Sequence, residues 1–174
     1  RLRNDIMEKK TKEAFKWIVN LLKGGRIPFQ ITAGMAAKIY GSDRELYDID
    51  IDAPEDKINE IAELAKKYIS KGPYQHKSES FDLILLTLNY HGQPIDIGGA
   101  YNVKIKNKNT GEWEKYPTDF SKSQMYIVLG IEVPVVTKEE LINYKSKVAR
   151  PTDLEDVRQI SSTRDASKNK VKLT

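Results

Sequence analysis

The run Asp48-Ile49-Asp50-Ile51-Asp52 constrains this chain more than any other stretch. Alternate residues of a β-strand share a face, so an extended backbone here puts three carboxylates on one side and Ile49 and Ile51 on the other. Carboxylates held together repel each other and resist desolvation; a folded protein keeps them where water, a base or a metal compensates. Upstream, Ile27 to Ala33 reads as a first strand that meets Gly34, and Met35 to Tyr40 as a short helix ended by Gly41. A strand, a glycine turn, a short helix and an acidic strand, Leu46 to Ala53, together read as a metal site fed by a glycine turn. The competing reading is an acidic edge strand whose carboxylates sit in water and discourage edge-to-edge pairing. Asp52, near Pro54, reads as a strand-end or loop carboxylate.

The flanking sequence supplies helices and hairpins. Asp5 to Lys23 spaces Ile6, Phe15, Ile18, Val19 and Leu22 as an amphipathic helix, and Gly24-Gly25 stops it. After Pro54, the positions Ile58, Ile61, Leu64, Ala65, Tyr68 and Ile69 predict another, closed by Gly72-Pro73. Ser80 to Tyr90 has the composition of a central strand, and His91-Gly92 turns it back through Gln93 to Ile97. Two more hairpins are expected, one turning through Asn107 to Gly111 and one at Gly130. Thr137-Lys-Glu-Glu140 and Thr152-Asp-Leu-Glu155 match capping boxes that open two final helices, the first ended by Arg150-Pro151. Past Ser161 the chain turns polar and basic, which predicts a frayed tail bearing Lys168, Lys170 and Lys172.

The elements predict an α/β (α+β) fold: a mixed sheet carrying the acidic site, helices on one side and a helical C-terminal end. Residues 1–136 form the expected core, and 137–174 the C-terminal helices and basic tail of the same domain. At 174 residues, 39% hydrophobic and 31% charged, the chain has the composition of a globular domain. No run reaches the roughly 20 apolar residues of a membrane-spanning helix. With no cysteine, disulfides and thiolate metal sites are excluded, and a cytoplasmic location is expected. The net charge of +4 is mild; the lysines at 104, 106, 108 and 115 around one turn favour an anionic partner such as a nucleotide or RNA, or else form a solvated face.

Asp96 completes the candidate metal site. Flanked by Ile95 and Ile97 on an expected strand, it is a carboxylate where the pattern calls for an apolar residue or an edge. Magnesium is a hard ion that takes carboxylate, water and phosphate oxygens, so Asp48, Asp50 and Asp96 suit it. Two such ions about 4 Å apart clamp the attacking and leaving oxygens of an in-line phosphoryl displacement. His76 and His91 lie in turn-like contexts with no second histidine at ligand spacing and are assigned no metal.

Gly34-x-Ala36, Gly41, Arg44 and Asp48-Ile-Asp50 resemble the first motif of the nucleotidyltransferase superfamily with the DNA polymerase beta fold, especially its AbiEii-like toxins and minimal and antibiotic-modifying members. Leu141-Ile-x-x-Lys145 and Arg150 to Asp156 resemble its C-terminal helical motifs. The resemblance implies a nucleotidyltransferase-like mixed sheet and transfer of a nucleoside monophosphate from a nucleoside triphosphate, such as ATP, to a hydroxyl, releasing pyrophosphate. Asp48, Asp50 and Asp96 would bind magnesium, or manganese in its place, and Asp96 would assist deprotonation of the acceptor. Gly34 and Met35 would meet the nucleotide's phosphates, Arg44 and Lys145 would neutralise them, and Asp153 would orient neighbouring groups. The acceptor is an RNA end, a protein side chain or a small hydroxylated molecule, with the basic hairpin and tail tilting toward RNA. Likeness to the toxins implies an antitoxin partner. Two other readings stand beside this one: a metal-dependent nuclease using the same carboxylates, and a non-catalytic nucleotide- or RNA-binding module, favoured by Met35 where a second small residue is usual.

Overall fold

A computed structural model describes residues 7–162 and 171–173. Its helices are α1 (Lys9–Gly24), α2 (Ala33–Ile39), α3 (Glu55–Leu64), α4 (Lys138–Val148) and α5 (Pro151–Ser162). Its strands are β1 (Gln30–Ile31), β2 (Ile49–Ala53), β3 (Ile69–Lys77), β4 (Phe81–Tyr90), β5 (Gln93–Gly99), β6 (Lys104–Lys106), β7 (Trp113–Lys115), β8 (Gln124–Val128), β9 (Ile131–Val135) and β10 (Val171–Lys172). They form one mixed sheet in the order β10-β8-β9-β1-β2-β5-β4-β6-β7, with β3 on the free edge of β4. No helix among the described residues is long and apolar enough to cross a membrane.

β2 lies inside this sheet, antiparallel to β1 and parallel to β5, so the acidic edge-strand reading fails. Its alternation sorts the faces: Ile49, Ile51 and Ala53 are buried, whereas Asp50 and Asp52 face a cleft. α1 and α3 cover the apolar face. Thr11 of α1 donates a 2.6 Å hydrogen bond to Gln93, and the Glu55 carboxylate of α3 accepts from the backbone amides of Tyr101 and Asn102 just past β5. α4 borders the acidic face instead, where Glu140, Leu141 and Tyr144 share a cavity wall with Asp52 and Leu83. Helices therefore occupy both faces, because a sheet with one apolar face and one cleft-forming face needs cover on the first and walls on the second. A single hydrophobic cluster reaches from Met7 to Ile160, with Phe15, Ile18 and Leu22 of α1 wholly buried in it.

Several boundaries differ from expectation. β3 was not anticipated: Ile69 starts it after a 3-10 turn at Lys66–Tyr68, and Gly72-Pro73 lies within it rather than ending a helix. Its pairing with β4 shifts register between Ile69 and Lys71 and again between Lys71 and Tyr74, and an irregular edge strand tolerates a proline that lacks an N–H. β1 is two residues long against the seven expected. At α4 half of the capping box forms: the Thr137 hydroxyl accepts from the Glu140 amide, while the Glu140 carboxylate accepts from Tyr116. α5 opens at Pro151, two residues before the Asp153 start that a Thr152 cap implies, so Thr152 lies inside the helix and Pro151 takes the first turn, where no N–H is needed. Asp5 and Ile6 of the first helix, and Lys168 and Lys170 of the tail, lie outside the described residues. Val171 and Lys172 are extended and pair in parallel with Ile127 and Val128, so this end of the expected frayed tail is an edge strand.

The β8–β9 hairpin turns through Leu129 and Gly130 with φ of 52° and 79°, the pair of positive angles that suits a two-residue hairpin loop. Nothing lies within 4 Å of a Cβ added to Gly130, so backbone strain alone governs substitution there. Gly130→Ala is expected to cost about 1 kcal/mol, read as a shifted urea midpoint with an unchanged slope.

Candidate active site

The register of two adjacent strands builds the acidic centre. Asp50 of β2 stands directly opposite Asp96 of β5, and Asp48 precedes β2 by one residue on the same side. One oxygen from each of Asp48, Asp50 and Asp96 lies within 4.8 Å of the others, the only such grouping of metal-ligating side chains among the described residues. The chemistry of this donor set fits a hard divalent cation: three carboxylates converge, partly exposed, on an open cleft of about 610 Å³.

The electrostatics point the same way. Burial, then the nearby Asp96 and Asp48, push the Asp50 carboxyl up to about 8, despite a 3.2 Å hydrogen bond from the Gly34 amide and the nearby Lys145. Burial and Asp96 raise Asp48 above the ordinary range, and burial raises Asp96 against the opposing effects of Thr87 and His76. A cation between the three removes this penalty by replacing repulsion with attraction.

A pH dependence follows. Asp50 titrates near 8 in the folded protein and about 4 when unfolded. The stability that its protonation contributes is therefore complete below about pH 4 and lost as the pH rises to about 8. A divalent cation taken up by the deprotonated site of the folded chain would restore stability there. The expected result is a Tm difference between magnesium and EDTA that is near zero at pH 5, widens up to about pH 8, and disappears in Asp50→Asn. Differential scanning calorimetry across pH checks it.

Gly34, second in α2, brings its backbone against the acidic centre. A Cβ there would stand 3.3 Å from the Arg44 guanidinium, close enough to press on it, and in ordinary contact with Asp50 at 3.5 Å. Ala33, just before it, holds a left-handed φ of 48° to make the turn. Met35 departs from expectation: its side chain is wholly buried in the core and does not line the cleft. α2 has a 3.6-residue repeat, and its next position after the glycine turns inward.

The remaining predicted residues meet in a charge network at the cleft wall. Lys145 is 1% exposed and its Nζ lies 3.0 Å from both Asp153 Oδ1 and Asp156 Oδ2. Arg44 donates to Asp156 from Nε (3.1 Å) and an Nη (2.8 Å), and Arg150 donates to Asp153 from Nε (2.7 Å). Burial opposes ionisation of both aspartates, yet Arg150 and Lys145 hold Asp153, and Arg44, Ser42 and Lys145 hold Asp156, below the ordinary range. Three cations against two carboxylates leave one positive charge in excess, and Arg44, Lys145 and Arg150 all line the cleft. Asp153 is fully buried and touches Lys145, Arg150 and the Arg150 amide, so it supports the cations from behind rather than facing the cleft.

Asp156, Arg150 and Asp52 are site residues that sequence reasoning did not select. A signal for the network existed: Lys145 sits four residues after Leu141 and three before Val148 on the buried stripe of α4, where a lysine demands an acidic partner. Asp153 and Asp156, three apart on α5, supply it. Asp52 is a strand-end carboxylate rather than a loop one; it is the penultimate residue of β2, accepts a 2.8 Å hydrogen bond from Gln30, and is pushed up to about 6, chiefly by burial. His76 lies in β3 and lines the cleft rather than sitting in a turn.

No protein-family model matches the chain, and no curated protein matches it in sequence. Solved structures share its fold. A candidate nucleotidyltransferase from Thermotoga maritima superposes with a TM-score of 0.71 at 21% identity, over 94% of this chain and 100% of its own. The lincosamide antibiotic adenylyltransferase LnuA, solved with lincomycin bound, gives 0.59 at 18% identity, over 91% of this chain and 99% of its own. The antibiotic-resistance factor ANT(2'')-Ia, in complex with adenylyl-2''-tobramycin, gives 0.58 at 17% identity, over 91% of each chain.

Proposed function

We propose that this chain, which has the nucleotidyltransferase fold, moves a nucleoside monophosphate from a nucleoside triphosphate to a hydroxyl and releases pyrophosphate. The observation that carries the reading is the convergence of Asp48, Asp50 and Asp96 on an open cleft that Arg44, Lys145 and Arg150 also line. A magnesium or manganese ion held by the three carboxylates would polarise the phosphoryl oxygens and lower the pKa of a bound hydroxyl. The chain's own residues do the rest. The excess positive charge of the Arg44–Lys145–Arg150 wall faces the triphosphate, Gly34 leaves room beside Asp50, and Asp96 receives the acceptor's proton. Chemistry of this kind depends on positioning and charge neutralisation, which a preformed and internally braced network provides without reorganisation.

The check is incubation with magnesium and each α-labelled nucleoside triphosphate, offered tRNA, protein and hydroxylated amines as acceptors. Label transfer with pyrophosphate release is expected. Absence of transfer with every triphosphate, or transfer that survives the paired changes Asp48→Asn and Asp50→Asn, would overturn the reading. Release of short oligonucleotides without triphosphate would favour the nuclease.

A further inference from the structure

Next to the acidic cleft lies a second, more enclosed cavity of about 160 Å³. It shares Thr32, Asp52, Phe81, Leu83 and Tyr144 with the cleft, so the two communicate along the strand that carries Asp50. Its walls are mostly hydrocarbon and aromatic, with Phe81, Leu83, Val103, Ile105, Leu141 and Tyr144 contributing. Cavities of about 150 Å³ accept a benzene-sized body, so a single ring or its aliphatic equivalent fits this one.

The polar groups of the cavity define the rest of its occupant. Arg44, Lys145 and Arg150 line only the cleft, whereas the cavity's charged groups are Asp52, Asp119, Glu140 and Lys122, two negative charges in excess. Asp119 caps Ser121 through its amide and hydroxyl, and Glu140 accepts from Tyr116, so both have local work at the rim. Asp52 is the inner carboxylate. It accepts from Gln30, whose own side-chain oxygen accepts from Ser123, and from the Thr32 hydroxyl, and it has no ion-pair partner among the described residues. A carboxylate in an apolar cavity without a cation of its own suits a ligand that brings one. Polyphosphate is repelled here and belongs with the arginines in the cleft.

We infer that this cavity seats the acceptor of the transfer reaction, a small hydroxylated amine with an apolar body of about one ring, whose ammonium is held by Asp52. The inference rests on the nucleotidyltransferase reading and names the acceptor class for it. Asp50 and Asp52 are two residues apart on one strand, about 7 Å along it, so an ammonium on Asp52 and a hydroxyl some 5–7 Å away put that hydroxyl over Asp50 and Asp96. In the transfer the hydroxyl oxygen bonds to the α-phosphorus, and the bond from that phosphorus to the bridging oxygen of the β-phosphate breaks. Pyrophosphate leaves with the electron pair, and the hydroxyl proton passes to Asp96. RNA ends do not enter a cavity of this size.

Isothermal titration of the full chain with trans-4-aminocyclohexanol, without triphosphate or metal, tests the site directly; cyclohexanol and cytidine serve as comparators. The amine is expected to bind about tenfold or more tightly than cyclohexanol, and Asp52→Asn to abolish that preference. Val103→Trp, which fills the cavity from its loop side, is expected to lose amine binding in a protein whose circular dichroism is unaltered, so a misfolded Asp52→Asn does not decide the matter. Equal binding of amine and cyclohexanol, tighter binding of cytidine, or transfer to tRNA that Val103→Trp does not reduce would overturn the assignment. Because binding is read without turnover, Asp52-dependent amine binding in a protein that transfers to nothing would count against the transfer reaction and leave the site standing.

Discussion

Lys145→Met is expected to destabilise the protein by about 3–5 kcal/mol, the largest single effect on folding foreseen for a polar residue of this chain. The methionine keeps the stem packed on the buried stripe of α4 but removes the Nζ 3.0 Å from both Asp153 and Asp156, two fully buried carboxylates that then depend on Arg150 and Arg44 alone for counter-charge. Taking a shared cation from two buried carboxylates costs far more than losing a surface pair. Lys147→Met provides the contrast: its 2.9 Å pair with Glu114 is partly exposed, and its loss is expected to leave stability nearly unchanged. Urea unfolding of the three proteins reads the difference. Because both residues act in one network, adding Asp156→Asn to Lys145→Met is expected to cost less than the sum of the two single changes; a double variant as unstable as that sum would contradict the network account.

Asp50→Asn and Asp96→Asn are each expected to lower kcat/KM for nucleotidyl transfer by about a thousandfold or more, with less than tenfold change in nucleotide affinity. The asymmetry follows from where charge develops. Interactions made only in the transition state affect rate, whereas the triphosphate is gripped by cations that both changes leave in place. Removing either charge also relieves repulsion among the three carboxylates, so both variants are expected to be as stable as the parent or more so when no metal is present. A gain in metal-free Tm with a collapse in transfer rate would separate a functional cluster from a structural one; loss of both would indicate a folding role.

The acidic centre was legible because it uses the shortest repeat in protein structure. A period of two in Asp48-Ile49-Asp50-Ile51 marks a strand with one polar face, and Asp96 between Ile95 and Ile97 marks the matching position on a second strand. The central strand β4 and the hairpins were legible for the same kind of reason, since β-rich composition or local turn residues encode them. β3 was not, because Gly72-Pro73 reads as a break and only pairing with β4 keeps that segment extended. The burial of the Met35 side chain was not legible beside Gly34, because helical periodicity sends neighbouring side chains in different directions.

The sequence by itself determined which residues carry charge onto a shared strand face, where the helices and most strands run, and hence the class of fold. Local periodicity and turn chemistry act over a few residues and are written wherever those residues stand. Only the tertiary structure decided that β2 is internal, that Lys145, Arg44 and Arg150 are braced by Asp153 and Asp156, and that Asp52 faces an apolar cavity. Those outcomes depend on which distant segments pack together to exclude water. Burial turns an ordinary carboxylate into one that demands a partner, and no single stretch of sequence records it.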